Sequence, residues 1–122
     1  MKMSWNWLRA GMLAAIGMLA IADESDYRLW AESALRDRLW VVVPHLAAPP
    51  GRTVSYQIVS SKHGRSGKSE TRQSGVVTIG PEGSAVLAGL RLGVAPEEQA
   101  EVVVKVFDGL REVADLVLQP VP

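Results

Sequence analysis

Along most of this chain apolar residues recur at every second position, the period of a half-buried β-strand. "VSYQIV" sets Val54, Tyr56 and Ile58 on one face and Ser55 and Gln57 on the other. "AEVVVKVF" sets Val102, Val104 and Val106 against Glu101, Val103, Lys105 and Phe107. "DYRLWAES", "LWVVV", "GVVTIG", "AVLAGLRL" and "REVADLVL" complete seven predicted strands. "WAESALRDRLW" is read as two strands with a bend near Ser33–Asp37. Turn residues separate the runs: "APPG" at 48–51, "GPEG" at 80–83, "GVAPEE" at 93–98 and Asp108-Gly109. Proline fixes φ and lacks an N–H, so "APPG" and "GPEG" cannot continue a central strand. Asp-Gly suits a two-residue hairpin turn with positive φ. Seven short strands in about 100 residues predict an all-β, seven-stranded immunoglobulin-like β-sandwich. One face of each strand supplies the expected core: Leu29, Leu39, Val41, Val54, Tyr56, Ile58, Val77, Ile79, Val86, Leu90, Val102, Val104, Val106, Leu116 and Leu118. A one-residue slip would exchange a strand's whole buried set. Trp30 and Trp40 are the large packing candidates.

The first 22 residues depart from this pattern. "MKMSWNWLR" carries Lys2 and Arg9 without an acid, an uncharged run follows from Ala10 to Ala22, and "DESD" comes next. A basic start, a short apolar run and an Ala20-Ile21-Ala22 ending predict a signal peptide over 1–22, cleaved after Ala22. The apolar run is short for a spanning helix, which needs roughly 20 residues. The domain is then 23–122, periplasmic, with no membrane association once the leader is removed. The chain has no Cys, which excludes a lipid-modified cysteine, a disulfide and thiol chemistry. Its 13 basic and 13 acidic residues balance, and loss of Lys2 and Arg9 leaves the domain at −2.

Against that background "SSKHGRSGKSETRQSG", 60–75, stands out. It has no aliphatic or aromatic residue, and Lys62, Arg65, Lys68 and Arg72 against Glu70 give it a charge of +3. "GRSGKS" lacks the spacing of a phosphate-binding loop. The charge is too modest, and too free of aromatics, for a nucleic-acid patch, so no nucleic-acid partner is expected. His45 and His63 have no metal-ligand spacing, and no metal or cofactor is expected. His63 lies among serines, but nucleophilic catalysis also needs an orienting acid and an oxyanion hole. Two acidic pairs, Asp23/Glu24 and Glu97/Glu98, lie at terminal or turning positions, and a small sandwich has little room for a carboxylate-flanked cleft. The chain is therefore expected not to be an enzyme. The segment reads as a polar hairpin, tipped at Gly64–Gly67, that extends two strands beyond the sandwich body. Charged residues and Gly on such a strand discourage edge-to-edge pairing.

Further residues carry a resemblance. The Tyr-containing strand, "KHGRSGKSETRQSGVVTI", "LRLGV" and "VVVKVFDG" with "VADLVL" resemble the curli assembly chaperone family of alphaproteobacteria, the CsgH type related to CsgC. The match centres on Gly64, Ser66, Gly67, Ser69, Gln73, Ser74 and Gly75, and on Val104, Val106, Phe107, Asp108 and Gly109. It covers roughly Leu39 to Leu118. The resemblance implies a periplasmic immunoglobulin-like domain that keeps a curli-type amyloid subunit from assembling too early, through weak transient contacts with unfolded or early forms. It implies a monomer without enzymatic activity. The Cys-x-Cys pair of the enterobacterial relatives is absent. On this reading Arg65, Lys68 and Arg72 steer the client, and Gln73, Ser66 and Ser69 are candidate polar contacts. Gly64, Gly67 and Gly75 are expected to serve backbone geometry. A structural or adhesion-type module of an exported complex is the alternative.

Overall fold

The computed structural model describes residues 26–121, together with the backbone of three two-residue strand pieces, Trp7–Leu8, Leu13–Ala14 and Ile21–Ala22. The leader expected over 1–22 and its cleavage point otherwise lie outside the described residues. Eight strands build the domain: β1 Arg28–Arg36, β2 Leu39–Ala47, β3 Thr53–Gly64, β4 Gly67–Thr78, β5 Ser84–Val86, β6 Leu90–Gly93, β7 Gln99–Asp108 and β8 Arg111–Leu118. They form two antiparallel sheets. One runs β8-β7-β3-β4, with Ile21–Ala22 paired on the outer side of β8. The other runs β1-β2-β5, with β6 also paired to β2.

The eighth strand has a local cause. β2 continues past Val43 through Pro44 to Ala47. Pro44 has no N–H to offer a neighbour. At that point the partner strand leaves the ladder: β5 ends with Val86 opposite His45, and β6 begins with Leu90 opposite Val42. The residues between them bridge the gap, and Leu87 N–H donates to the Pro44 carbonyl at 2.9 Å. The single expected strand "AVLAGLRL" is therefore two short ones.

A single buried cluster draws on both sheets, with Leu29, Trp40, Val42 and Leu46 from one and Val54, Ile58, Val102, Val104, Val106 and Leu116 from the other. The face expected for β2 is corrected by one residue. Trp40, Val42, Pro44 and Leu46 point inward, Leu39 is exposed and Val41 is only half-buried. "LWVVV" is apolar on both faces, so alternation could not choose between them. Val86 is likewise exposed and Leu87 buried. Trp40 gains a partner as it enters the core, its Nε1–H donating to Ser33 Oγ at 2.8 Å.

Two of the tight hairpins differ from expectation in detail. Between β1 and β2, Asp37 and Arg38 both have positive φ, 53° and 67°, the pair that a two-residue I′ turn requires. Between β7 and β8, Asp108 is already paired with Arg111, so the central residues are Gly109 and Leu110 rather than Asp108 and Gly109. Gly109 takes the positive φ, 65°.

Candidate protein-binding hairpin

β3 and β4 pair over their full length, from Thr53 opposite Thr78 to Gly64 opposite Gly67. Arg65 and Ser66 form the turn, and Gly67 leaves it at φ 126°, a conformation that L side chains rarely adopt. The charged segment is thus a hairpin, as its flanking periodicity predicts. It does not extend two strands alone. β7 runs beside β3 as far as Gln99 opposite His63, so the extension has three strands and β4 is its outer edge.

Alternation divides the six candidate contact residues. Lys68 and Arg72 share the outer face of β4 with Glu70. Ser69 and Gln73 lie on the opposite face, and Arg65 and Ser66 sit in the turn. All are exposed except Gln73, which is half-buried beside Ile58. The structure therefore brings Lys68 and Arg72 onto one surface and places Ser69 and Gln73 behind it.

The local charge is also smaller than the +3 of the sequence. Arg72 pairs with Glu70 at 3.1 Å, an exposed contact that contributes roughly 0–1 kcal/mol. Lys62 turns inward, donates to the Gly93 carbonyl at 2.8 Å and lies 3.6 Å from Glu98. That contact fastens the hairpin to the 93–98 turn, where Glu98 also closes over Gly64. Arg65 and Lys68 remain as the hairpin's cations without an ion-pair partner among the described residues.

Alternation also explains Gly75. It lies opposite Tyr56. A Cβ there would overlap the Tyr56 ring and hydroxyl. Gly75 has no positive φ, so close approach of the ring, rather than backbone twist, requires glycine.

Sequence reasoning did not anticipate the cations at the same end of the molecule. Val94 N–H donates to the Arg38 carbonyl at 2.8 Å, and Lys62 reaches Gly93. The β1–β2 turn and the hairpin are thus joined through one loop. Arg36, Arg38 and Arg91 are exposed there and make no ion pair among the described residues. The only signal in the sequence was Arg36-Asp37-Arg38, which reads equally well as an ordinary turn. On the outer face of the shorter sheet, Trp30 stacks on His45 with ring centroids 5.4 Å apart. His45 Nε2 lies 3.7 Å from Glu32 Oε1 and has no hydrogen-bond partner among the described residues.

Residues 19–115 match the Tafi-CsgC family, thin aggregative fimbriae synthesis proteins, and the chain belongs to that family. The curli assembly protein CsgC of Escherichia coli strain K12 is 27% identical over 71 residues, 58% of this chain and 64% of that protein. CsgC of Escherichia coli O1:K1 matches to the same extent. The chain thus spans under two thirds of the length of these curated relatives. Among solved structures, the E. coli curli protein CsgC has a TM-score of 0.56 at 22% identity, covering 75% of this chain and 92% of that one. R. palustris CsgH, solved in solution, has a TM-score of 0.58 at 19% identity, covering 77% of this chain and 92% of that one. The resemblance read from the sequence is thereby confirmed at the level of the family.

Proposed function

We propose that this chain is a periplasmic, chaperone-like inhibitor that prevents premature amyloid formation by curli-type fibre subunits. Family membership across 19–115, a span that includes the whole hairpin, carries the reading. The reading takes the two sheets as an immunoglobulin-like sandwich, active as a monomer and without cofactor or catalysis. Amyloid-prone chains seek strand edges. A protein that meets them needs an edge that makes contact without becoming a complete template, and charged side chains serve that end. β4 is such an edge, with Lys68, Glu70 and Arg72 along its tip half. Arg65, Lys68 and Arg72 steer an acidic client; Ser66, Ser69 and Gln73 offer polar contacts. Electrostatic attraction of this kind raises the rate of encounter more than the lifetime of the complex.

The test adds the purified protein, well below equimolar amounts, to a curli subunit and follows the aggregation lag by dye fluorescence. The lag is expected to lengthen. Arg65→Glu, Lys68→Glu and Arg72→Glu together are expected to shorten it again at low salt. A folded triple variant that inhibits as well as the parent at low and high salt removes the steering role. A stable, stoichiometric partner in place of substoichiometric inhibition would make the chain a structural module instead.

A further inference from the structure

The edge of β4 runs for 12 residues with no strand beside it among the described residues. Its two halves are chemically different. From Lys68 to Arg72 the outer face carries three charges. From Gln73 to Thr78 it carries none, and Val76 is 71% exposed there. Val76 borders a shallow groove lined by Ser55, Gln57, Ser74 and Phe107. On the other face the Tyr56 ring lies over Gly75, and its hydroxyl has no hydrogen-bond partner among the described residues. With no side chain on Gly75, that hydroxyl stands over the strand next to the open edge.

The other edges differ. β8 carries Ile21–Ala22 on its outer side, and with the leader removed its charges at Arg111, Glu112 and Asp115 leave a charge-free run of only three residues. The β5 and β6 side is broken between Val86 and Leu90. β1 is open, but Arg28, Glu32 and Arg36 place a charge at every fourth residue along its outer face. Among the described residues only β4 combines an open edge, a charge-free run and an unused hydroxyl. An exposed strand edge offers free N–H and C=O groups to an extended chain, and neighbouring side chains set the specificity.

We propose that Gln73–Thr78, with Arg72 at its end, binds an extended polypeptide by strand addition, over about 23 Å of edge. The outer face then selects a segment with an apolar side chain beside Val76 and a carboxylate four residues away beside Arg72, because same-face cross-strand neighbours interact. The Tyr56 hydroxyl bonds to the added strand on the inner face. Beyond Arg72, Glu70 faces any carboxylate that would extend the pairing, so the added strand stays short. The inference rests on the proposed function for the identity of the client, and its test does not.

The probe is an eight-residue capped peptide of alternating Thr and Ser bearing one Val and one Glu four residues apart. It is titrated into 15N-labelled protein purified from the periplasm. Amide signals of Gln73–Thr78 are expected to shift and their exchange to slow. A peptide N-methylated throughout should not bind. Replacing Glu by Lys in the peptide should weaken binding about fivefold, the effect of one cross-strand pair. Val76→Lys should abolish binding with the fold intact, and Tyr56→Phe should weaken it by a similar fivefold. Equal binding of the N-methylated peptide, or shifts confined to Arg28–Arg36 or to Arg36, Arg38 and Arg91, overturns the proposal. So do β4 signals that move with protein concentration alone, since a second copy would then occupy the edge. In the aggregation assay, undiminished inhibition by Val76→Lys removes strand addition and leaves the proposed function standing. A parent that binds the peptide at β4 but does not inhibit removes the proposed function and keeps the edge.

Discussion

Asp108, next to the β7–β8 turn, accepts a hydrogen bond from Tyr27 Oη at 2.7 Å and pairs with Arg52. Tyr27 precedes β1, and Arg52 precedes β3, so three side chains tie the two sheets at one end. The bonds from Tyr27 and then Arg52 hold the Asp108 carboxyl below its usual 3.8. Burial first, then the Asp108 bond, pushes the Tyr27 phenol above 10.0. The two signs give opposite pH windows. The contribution of Asp108 is present above pH 3.8 and is lost as pH falls through its lowered pKa. That of Tyr27 is present below pH 10 and is lost as pH rises through its raised pKa. Asp108→Asn should therefore lower the melting temperature at pH 7, and the gap from the parent should narrow as pH falls below 3.8. A gap that does not change with pH would assign the loss to packing. Gly75 makes a second residue-level case. Gly75→Ala should cost about 1–3 kcal/mol through overlap with Tyr56, and that cost should vanish in a Tyr56→Val background. A double-mutant cycle in urea measures the coupling.

At the scale of elements, the β3–β4 hairpin depends on its turn. Gly67 at φ 126° tolerates no side chain without strain, and Gly67→Ala should cost about 1–3 kcal/mol. Ser66→Ala beside it, exposed and without a special φ, should stay within about 0.5 kcal/mol. Equal losses in chemical denaturation would mean that the turn is not the constraint. This hairpin was legible in the sequence because polar alternation continued between two apolar strands and a Gly pair marked the tip. The split of β5 from β6 was not legible, since its cause, Pro44, lies more than 40 residues earlier and acts only through the register of β2. The inward face of β2 was hidden for another reason: Leu39 to Val43 is apolar throughout, and only contact with the other sheet chooses Trp40 and Val42. The candidate site was partly legible. Lys68 and Arg72 share a face by simple alternation. The withdrawal of Lys62 to Glu98 and the arrival of Arg36, Arg38 and Arg91 at the same end depend on contacts between distant strands.

For the molecule as a whole, neither sheet has a core of its own. Leu29, Trp40, Val42 and Leu46 have the inner face of the five-stranded sheet as their apolar surroundings, and the reverse holds for Val54, Ile58, Val102, Val104 and Val106. Separating the sheets would expose both sets together, so the domain should unfold in one transition. Trp40 and Val104 allow this to be measured from opposite sides. Both are fully buried, Trp40 on β2 and Val104 on β7. Trp40 fluorescence reports on the shorter sheet, and far-ultraviolet circular dichroism reports on all strands. Val104→Ala removes two methyl groups from the five-stranded sheet, a loss of about 2 kcal/mol including the cavity. For a domain of this length that lowers the melting temperature by roughly 8–16 °C. If the core is shared, both probes should fall by the same amount, although the substitution touches only one sheet. If circular dichroism loses a first step while Trp40 keeps the parent's midpoint, the sheets are separate units. A shared core would have a functional consequence. The edge of β4 would then be held by the stability of the entire domain, so that a weakly bound client strand could leave without drawing β4 away with it.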